Sequence, residues 1–120
     1  MGARVLIVDD FAPFRSLARR LLAGGGFDVV GEAADGASAL RVARELRPDV
    51  VLLDVQLPDV DGFRVAAELA GRADAPVVVL VSSRSRGDYA ARIGASPVRG
   101  FIPKAELSAD ALCRTLRCAG

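Results

Sequence analysis

The chain has 120 residues, of which 52% are hydrophobic and 26% charged, and its formal net charge is +1. This length and composition predict one folded domain over residues 1–120 and exclude a disordered chain. The balanced charge excludes a general electrostatic attraction to nucleic acid or to anionic membranes.

We expect neither a targeting signal nor a membrane-spanning segment in this sequence. The longest apolar run, VVVLV at residues 77–81, is far too short to cross a bilayer. A strand is predicted almost at the N-terminus, which leaves no room for a signal peptide, and MGARVL lacks the Ser or Thr of a myristoylation signal. We therefore expect a cytoplasmic protein that makes no membrane contact.

The residue types restrict the possible chemistry. The sequence has no histidine, which excludes Ser-His-Asp and Cys-His catalysis and histidine-based zinc sites. Cys113 and Cys118 fall five residues apart on one predicted helix and point in different directions, so we expect structural or incidental thiols. Carboxylates, hydroxyls or the single lysine must carry any chemistry.

The first half of the chain alternates apolar strands with helical patterns. Residues 3–8, ARVLIV, predict a strand, and residues 11–23 predict a helix that three glycines end. Residues 27–33, FDVVGEA, predict a second strand. Asp35 can cap a second helix, which Pro48 closes. The predicted inward face of the first helix comprises Phe14, Leu17, Ala18, Leu21 and Leu22.

The alternation continues to the C-terminus. Residues 49–53, DVVLL, predict a third strand, and Asp61 and Gly62 start a third helix that extends to residue 70. The last helix can begin at Ser108 or Asp110, with Leu112 and Leu116 facing inward. The remaining predicted elements are strands at 76–81 and 98–102 and a weaker helix at 87–95.

Strands that alternate with helices indicate an α/β fold with one parallel sheet covered on both faces. Right-handed crossovers limit the possible topologies. We predict a doubly wound, flavodoxin-like (βα)5 sheet with strand order 2-1-3-4-5, which places the first and third strands side by side.

Three aspartates meet at the carboxyl edge of this predicted sheet. Asp9 and Asp10 end the first strand, and Asp54 follows the third strand at once. Such close carboxylates repel one another, and a divalent cation resolves the conflict. Oxygen-only ligands favour Mg²⁺, Mn²⁺ or Ca²⁺. The alternative, that each aspartate merely caps a helix or ends a strand, is common for one residue but much less so for three together.

Two further groups follow strands at the same edge. Ser82 follows the fourth strand, and Lys104 follows the fifth. Lys104 is the only lysine beside fifteen arginines, and an ammonium is a compact charge suited to one phosphate or carboxylate oxygen. The alternative is an ordinary solvated surface lysine.

Four segments together resemble the receiver domain of two-component response regulators. They are VLIVDD at 5–10, VVLLDVQLPDVDG at 50–62, VVVLVSS at 77–83 and GFIPK at 100–104. The resemblance implies that Asp54 is the phosphoacceptor, and that Asp10 binds Mg²⁺ or Mn²⁺ directly and Asp9 largely through water. It also implies a metal contact from the backbone carbonyl of Gln56.

The same resemblance implies a signalling switch rather than an enzyme acting on other substrates. Asp54 would accept a phosphoryl group from a sensor histidine kinase or a phosphotransfer protein, in a reaction that the domain itself catalyses and later reverses by hydrolysis. Lys104 would contact the phosphate, while Ser82 and Phe101 would be the switch hydroxyl and switch aromatic. Gln56 and Arg84 would flank the mouth of the site.

The sequence departs from the family pattern in the fourth helix. Gly94 and Pro97 stand where many receivers keep a helix or a tight turn. We expect this helix to be short and to end near Ile93. This region is often the output surface of a receiver, so we expect the geometry of that surface to differ from the usual one here.

Other classes of protein fit the residues less well. DVDGF at 59–63 resembles the nucleophile motif of haloacid-dehalogenase-type phosphatases, but it does not directly follow a strand. An EF-hand loop read from Leu57 would lack its first ligand and a preceding helix. A flavodoxin-like flavin binder would need a hydroxyl- and glycine-rich first loop, unlike DDFAPF.

The closest alternative is a receiver-like domain that binds partners without being phosphorylated. GFIPKAELS resembles receivers that precede helix-turn-helix domains, so an effector domain or a homodimer partner is possible. We expect no nucleic-acid binding by this domain alone.

Overall fold

The computed structural model describes residues 2–118 of the chain, without the side chain of Cys118. Its five parallel strands have the order β2-β1-β3-β4-β5, which confirms the predicted topology. The strands are β1 Arg4–Val8, β2 Asp28–Ala33, β3 Val50–Asp54, β4 Val77–Ser82 and β5 Gly100–Pro103.

Each strand is followed along the chain by a helix, as predicted. They are α1 Ala12–Gly24, α2 Gly36–Leu46, α3 Gly62–Ala70, α4 Ala90–Gly94 and α5 Ala109–Cys118, with 3₁₀ turns at Arg86–Tyr89 and Lys104–Glu106. None of the helices in the described part is long and apolar enough to cross a bilayer.

The central strands are apolar on both faces because each face is covered by helices. Leu6 and Leu53 pack in one hydrophobic cluster with α2 and α3, whereas Val5 and Leu52 pack in the other with α1 and α5. All five residues of β3 are buried. The alternation of side chains along each strand therefore divides the core into two layers.

Side-chain caps fix several helix starts. The Asp35 carboxylate accepts a hydrogen bond from the Ser38 N–H at 2.8 Å, and Asp61 accepts one from the Phe63 N–H at 2.7 Å. Ser108, one of the two predicted starts of α5, accepts from the Ala111 N–H at 2.9 Å. Leu112 is fully buried in the core, as predicted.

Several predicted boundaries were wrong by a few residues. Asp54 and Ser82 are the last residues of β3 and β4 rather than the first residues after them, because Asp54 pairs with Val81 and Ser82 with Pro103. The fifth strand begins at Gly100 rather than at residue 98. Leu17 was predicted to face inward, but it is 41% exposed at the edge of the α1 stripe.

The fourth helix is short, as predicted, and ends at Gly94. The first residues of the helix predicted over 87–95 belong instead to the 3₁₀ turn at Arg86–Tyr89. No residue of α4 is buried, so little apolar packing is available to extend it.

Candidate functional site

The site lies at the carboxyl edge of the sheet, where the ends of β1, β3, β4 and β5 meet. One carboxylate oxygen each from Asp9, Asp10 and Asp54 lies within 4.8 Å of the others. Asp9, Asp54 and Ser82 are buried, whereas Asp10 is exposed. The fold therefore brings together the three aspartates that the sequence pattern had grouped.

The backbone N–H and both carboxylate oxygens of Asp9 have contacts that hold the residue in place. Its backbone N–H donates to the Ala33 carbonyl at 3.0 Å, and its Oδ1 accepts from the Phe11 N–H at 2.9 Å. Its Oδ2 lies 2.6 Å from the Lys104 ammonium, although no donor is aligned on that oxygen as a hydrogen bond requires. Asp9 thus holds the backbone just before α1 and also belongs to the acidic cluster, whereas the cap position of α1 is Phe11, which has no side-chain cap.

Lys104 reaches into the acidic cluster from the end of β5. Its Nζ lies 2.6 Å from Asp9 Oδ2, 3.5 Å from Asp54 Oδ2 and 4.7 Å from the centre of the Phe14 ring. Its side chain is only 20% exposed. These contacts do not fit a solvated surface lysine, and they place one positive charge between two buried carboxylates.

The carboxyl group of Asp54 has an unusually high pKa. Burial, and next the negative charge of Asp9, raise the pKa of Asp54 from 3.8 to about 6. The charge of Lys104 and a hydrogen bond at 3.3 Å from the Gln56 N–H oppose that rise. One lysine therefore does not fully offset the cost of holding these carboxylates together.

The donor set fits a hard divalent cation. The grouped ligand atoms are all carboxylate oxygens, and the exposed Asp10 gives the cluster an opening to solvent. Such oxygen ligands suit Mg²⁺, Mn²⁺ or Ca²⁺, whose charge would relieve the repulsion within the cluster. The contribution of the Gln56 backbone carbonyl stays a prediction.

The predicted switch residues lie on the two strands that follow β3 in the sheet, β4 and β5. Ser82 is 1% exposed at the end of β4, and its Oγ accepts a hydrogen bond at 3.0 Å from the Arg84 N–H. Phe101, on β5, is 2% exposed and lies against Tyr89, with ring centres 6.0 Å apart. The side chains of Gln56 and Arg84, the predicted mouth residues, are exposed.

Sequence patterns missed an aspartate that supports the loop after Asp54. Asp59 accepts hydrogen bonds from the Gly36 N–H at 2.8 Å and the Ala37 N–H at 3.0 Å, at the start of α2. These hydrogen bonds lower the pKa of Asp59. Because Asp59 and Asp61 bind helix starts and β3 precedes their loop, the EF-hand alternative does not fit.

The missed polar contacts join segments that are distant along the chain. Arg15 on α1 pairs with Glu32 on β2, and Arg92 on α4 pairs with Asp61 at the start of α3. Charge patterning identifies partners only within one helix, at spacings of three or four. The sequence alone therefore carried no signal for these two pairs.

Comparisons with known proteins identify the family. The response regulator receiver domain model matches residues 5–117. A protein-glutamate methylesterase/protein-glutamine glutaminase of Anaeromyxobacter dehalogenans is 43% identical over 122 residues, covering 95% of this chain and 35% of that protein. The transcriptional regulatory protein PdtaR of Mycobacterium tuberculosis is 35% identical over 114 residues, covering 88% of this chain and 56% of that protein.

Solved structures agree with this match. The signal receiver domain of NarL from Mycobacterium tuberculosis superposes with a TM-score of 0.86 at 34% identity, covering 98% of this chain and 96% of that chain. The chain thus spans one third to somewhat over half of the two curated relatives, but nearly all of an isolated receiver domain. It belongs to the receiver domain family of two-component response regulators.

Proposed function

We propose that residues 1–120 form one receiver domain that accepts a phosphoryl group on Asp54, with Mg²⁺ or Mn²⁺ in the acidic cluster. The donor is a phosphohistidine on a sensor histidine kinase or a phosphotransfer protein. The observation that carries this proposal is the grouping of Asp54 with Asp9, Asp10 and Lys104 at the sheet edge.

The transfer is a nucleophilic displacement at phosphorus. A carboxylate oxygen of Asp54 forms the new O–P bond, the N–P bond of the phosphohistidine breaks, and its electron pair returns to the imidazole. When bound, the cation neutralises charge on the transferring group. Lys104, 3.5 Å from Asp54 Oδ2, provides a second positive charge for the phosphate oxygens.

The protonation state of Asp54 fits this role. Its pKa of about 6 without a cation means that the carboxylate, the nucleophilic form, predominates at neutral pH. A bound cation would lower that pKa and strengthen the preference. Asp10, the exposed member of the cluster, would bind the cation directly, whereas the fully buried Asp9 would act largely through water.

Phosphorylation would then change the neighbouring surface. The phosphate oxygens accept hydrogen bonds, and the Ser82 hydroxyl can donate to one of them if its side chain turns toward the phosphate and away from the Arg84 N–H, from which it now accepts. That displacement would draw the end of β4 inward and alter the packing of Phe101 and Tyr89. The change would be transmitted to an effector domain or a homodimer partner rather than used for catalysis on another substrate.

Mass spectrometry of the protein incubated with acetyl phosphate and Mg²⁺ tests this proposal. The wild-type chain should gain the mass of one phosphoryl group, and Asp54→Asn should gain none, because an amide is a poor nucleophile. Asp59→Asn is the matched control, since Asp59 lies outside the cluster and should leave incorporation intact. A wild-type chain that gains no mass would instead be a receiver-like domain that binds partners without phosphorylation.

A further inference from the structure

We propose that Arg15 is a positioning residue for the cation site: it holds the peptide between Asp9 and Asp10, and so sets the place of the Asp10 carboxylate. This inference rests on the proposed function, because it concerns the same cation. Arg15 lies on α1, outside the four sequence segments that resemble the receiver family.

The Arg15 guanidinium bridges two elements. Its Nη1 donates a hydrogen bond to the Asp9 carbonyl oxygen at 2.5 Å, and its Nε donates to Glu32 Oε1 at 3.0 Å. The Arg15 side chain is only 19% exposed. A planar guanidinium can make both contacts at once because its donors point in fixed, different directions.

Glu32 in turn orients the guanidinium. Its second oxygen, Oε2, accepts a hydrogen bond from Arg19 Nε at 2.8 Å, so both carboxylate oxygens are engaged. Hydrogen bonding by Arg19 first, and also by Arg15, lowers the pKa of Glu32, while its partial burial opposes this shift. Glu32 therefore stays ionised at neutral pH and provides a fixed anchor on β2.

The Asp9 carbonyl belongs to the peptide that leads into Asp10. The Asp9 N–H and both carboxylate oxygens already contact Ala33, Phe11 and Lys104, so the carbonyl is the remaining polar group of this residue. Because Arg15 binds that carbonyl, the plane of the peptide between Asp9 and Asp10 is fixed. The backbone that carries the exposed Asp10 side chain is therefore held in one orientation.

A purely electrostatic role would have the opposite consequence. Arg15 brings a positive charge to the backbone beside a cation site, and like charges repel. If charge alone mattered, removing Arg15 would tighten Mg²⁺ binding. If position matters more, removing it would weaken binding, since the loss of groups that orient metal ligands typically costs roughly 10–100-fold in affinity.

Isothermal titration with Mg²⁺ alone separates these possibilities. Arg15→Met keeps the aliphatic stem but removes both hydrogen bonds, and we expect its Kd to rise roughly tenfold. Arg15→Lys keeps the charge but cannot reproduce the planar fork, so we expect weakened binding here as well. Arg20→Met is the control, because it changes another exposed arginine of α1 and leaves the Arg15 contacts with Asp9 and Glu32 in place; its Kd should be close to wild type.

Urea unfolding in EDTA accompanies each titration, so that a loss of fold is not read as a loss of metal affinity. Weakened binding in both Arg15 variants, with folding retained, supports the inference. Unchanged or tighter binding in folded Arg15→Met overturns it, as does a wild-type Kd in Arg15→Lys. If Arg15→Met does not fold, the Arg15→Lys result decides alone.

The same measurements on the wild-type chain show which of the two proposals fails. If it binds Mg²⁺ and takes up phosphate while the Arg15 variants bind equally well, the positioning role fails and the proposed function stands. If the wild-type chain binds no Mg²⁺, the cation assignment fails and the positioning role fails with it.

Discussion

The guanidinium of Arg92, on α4, lies 4.2 Å from the centre of the Phe63 ring, on α3. Arg92 also pairs with the carboxylate of Asp61, which caps α3 through its other oxygen. One α4 side chain thus contacts both the start of α3 and a ring of the core. Because the loop before α3 directly follows Asp54, the last residue of β3, this contact links α4 to the acidic site.

Three side chains, spaced three residues apart, attach α4 and the 3₁₀ turn before it to the rest of the domain. Arg86 donates a hydrogen bond to the Phe101 carbonyl at 2.7 Å and lies 5.6 Å from the centre of its ring. Tyr89 packs between Phe63 and Phe101, with centroid distances of 5.9 and 6.0 Å. Arg92 completes the row. Since α4 buries none of its own residues, these contacts carry much of its attachment.

Replacing Arg92 with methionine should therefore loosen α4 more than it destabilises the fold. We expect the free energy of unfolding to fall by about 1 kcal/mol or less, because the ion pair and the cation–π contact are both partly exposed. Amide hydrogen exchange over residues 86–94 should nevertheless accelerate. Arg64→Met, which alters another exposed arginine, is the control. Unchanged exchange in Arg92→Met would contradict the attachment role.

Removing the hydroxyl of Tyr89 should not lower the stability of the fold, unlike the loss of the Arg92 side chain. Its hydroxyl is buried and has no hydrogen-bond partner in the described part of the structure, although its ring packs well. An unsatisfied buried polar group costs about 1–3 kcal/mol. Tyr89→Phe should consequently leave stability unchanged or raise it by up to about 1 kcal/mol, as measured by urea unfolding. A loss of more than about 1 kcal/mol would mean that the hydroxyl has a partner in solution.

Asp54 predicts a dependence of stability on pH. Its pKa is about 6 in the folded chain against an ordinary value of 3.8, so the folded state binds the proton more tightly. The stabilisation from protonation is complete below about pH 4 and is lost as the pH rises through about 6. The cost above that range is on the order of 3 kcal/mol.

In EDTA, Asp54→Asn should thus be more stable than wild type at about pH 7.5, and its advantage should shrink as the pH falls below about 6. Urea unfolding at a series of pH values measures both. Asp49→Asn, which changes a carboxylate at the opposite end of β3, serves as the control. An Asp54 variant that is no more stable than wild type at the higher pH would show that the carboxylate is not destabilised by its surroundings.

Local patterns predicted the strands and the carboxylates at their ends, and the doubly wound arrangement, which alternating strands and helices favour, predicted the sheet order that brings those carboxylates together. Val50–Asp54 is continuously buried, and such a strand end places its carboxylate at a predictable edge of a parallel sheet. The Arg15–Glu32 and Arg92–Asp61 pairs could not be predicted, since they join residues 17 and 31 positions apart whose contact depends on how the elements pack. The inward orientation predicted for Leu17 was wrong for a related reason. Helical periodicity predicts an apolar face of α1, but the packing of the neighbouring elements decides which residues at the edge of that face are buried.

The lifetime of the phosphoryl group on Asp54 should depend on Arg84. This residue is the second after Ser82, and its side chain is exposed while its N–H is held by the Ser82 hydroxyl. A guanidinium is bulky and attracted to a phosphate dianion, so Arg84 can lie over the phosphate and obstruct the attack of water. The exposed Gln56 side chain can instead orient that water. We expect obstruction by Arg84 to dominate.

Arg84→Ala should then shorten the lifetime of phosphorylated Asp54 several-fold, while the initial phosphorylation yield falls no further than the faster loss explains. The measurement is the dephosphorylation rate of purified phosphoprotein in Mg²⁺ buffer after the donor is removed. Arg64→Ala, an exposed arginine on α3, should hydrolyse at the wild-type rate. An unchanged or slower rate in Arg84→Ala would mean that its side chain stays in solvent, where fixing a long side chain costs more entropy than the contact returns.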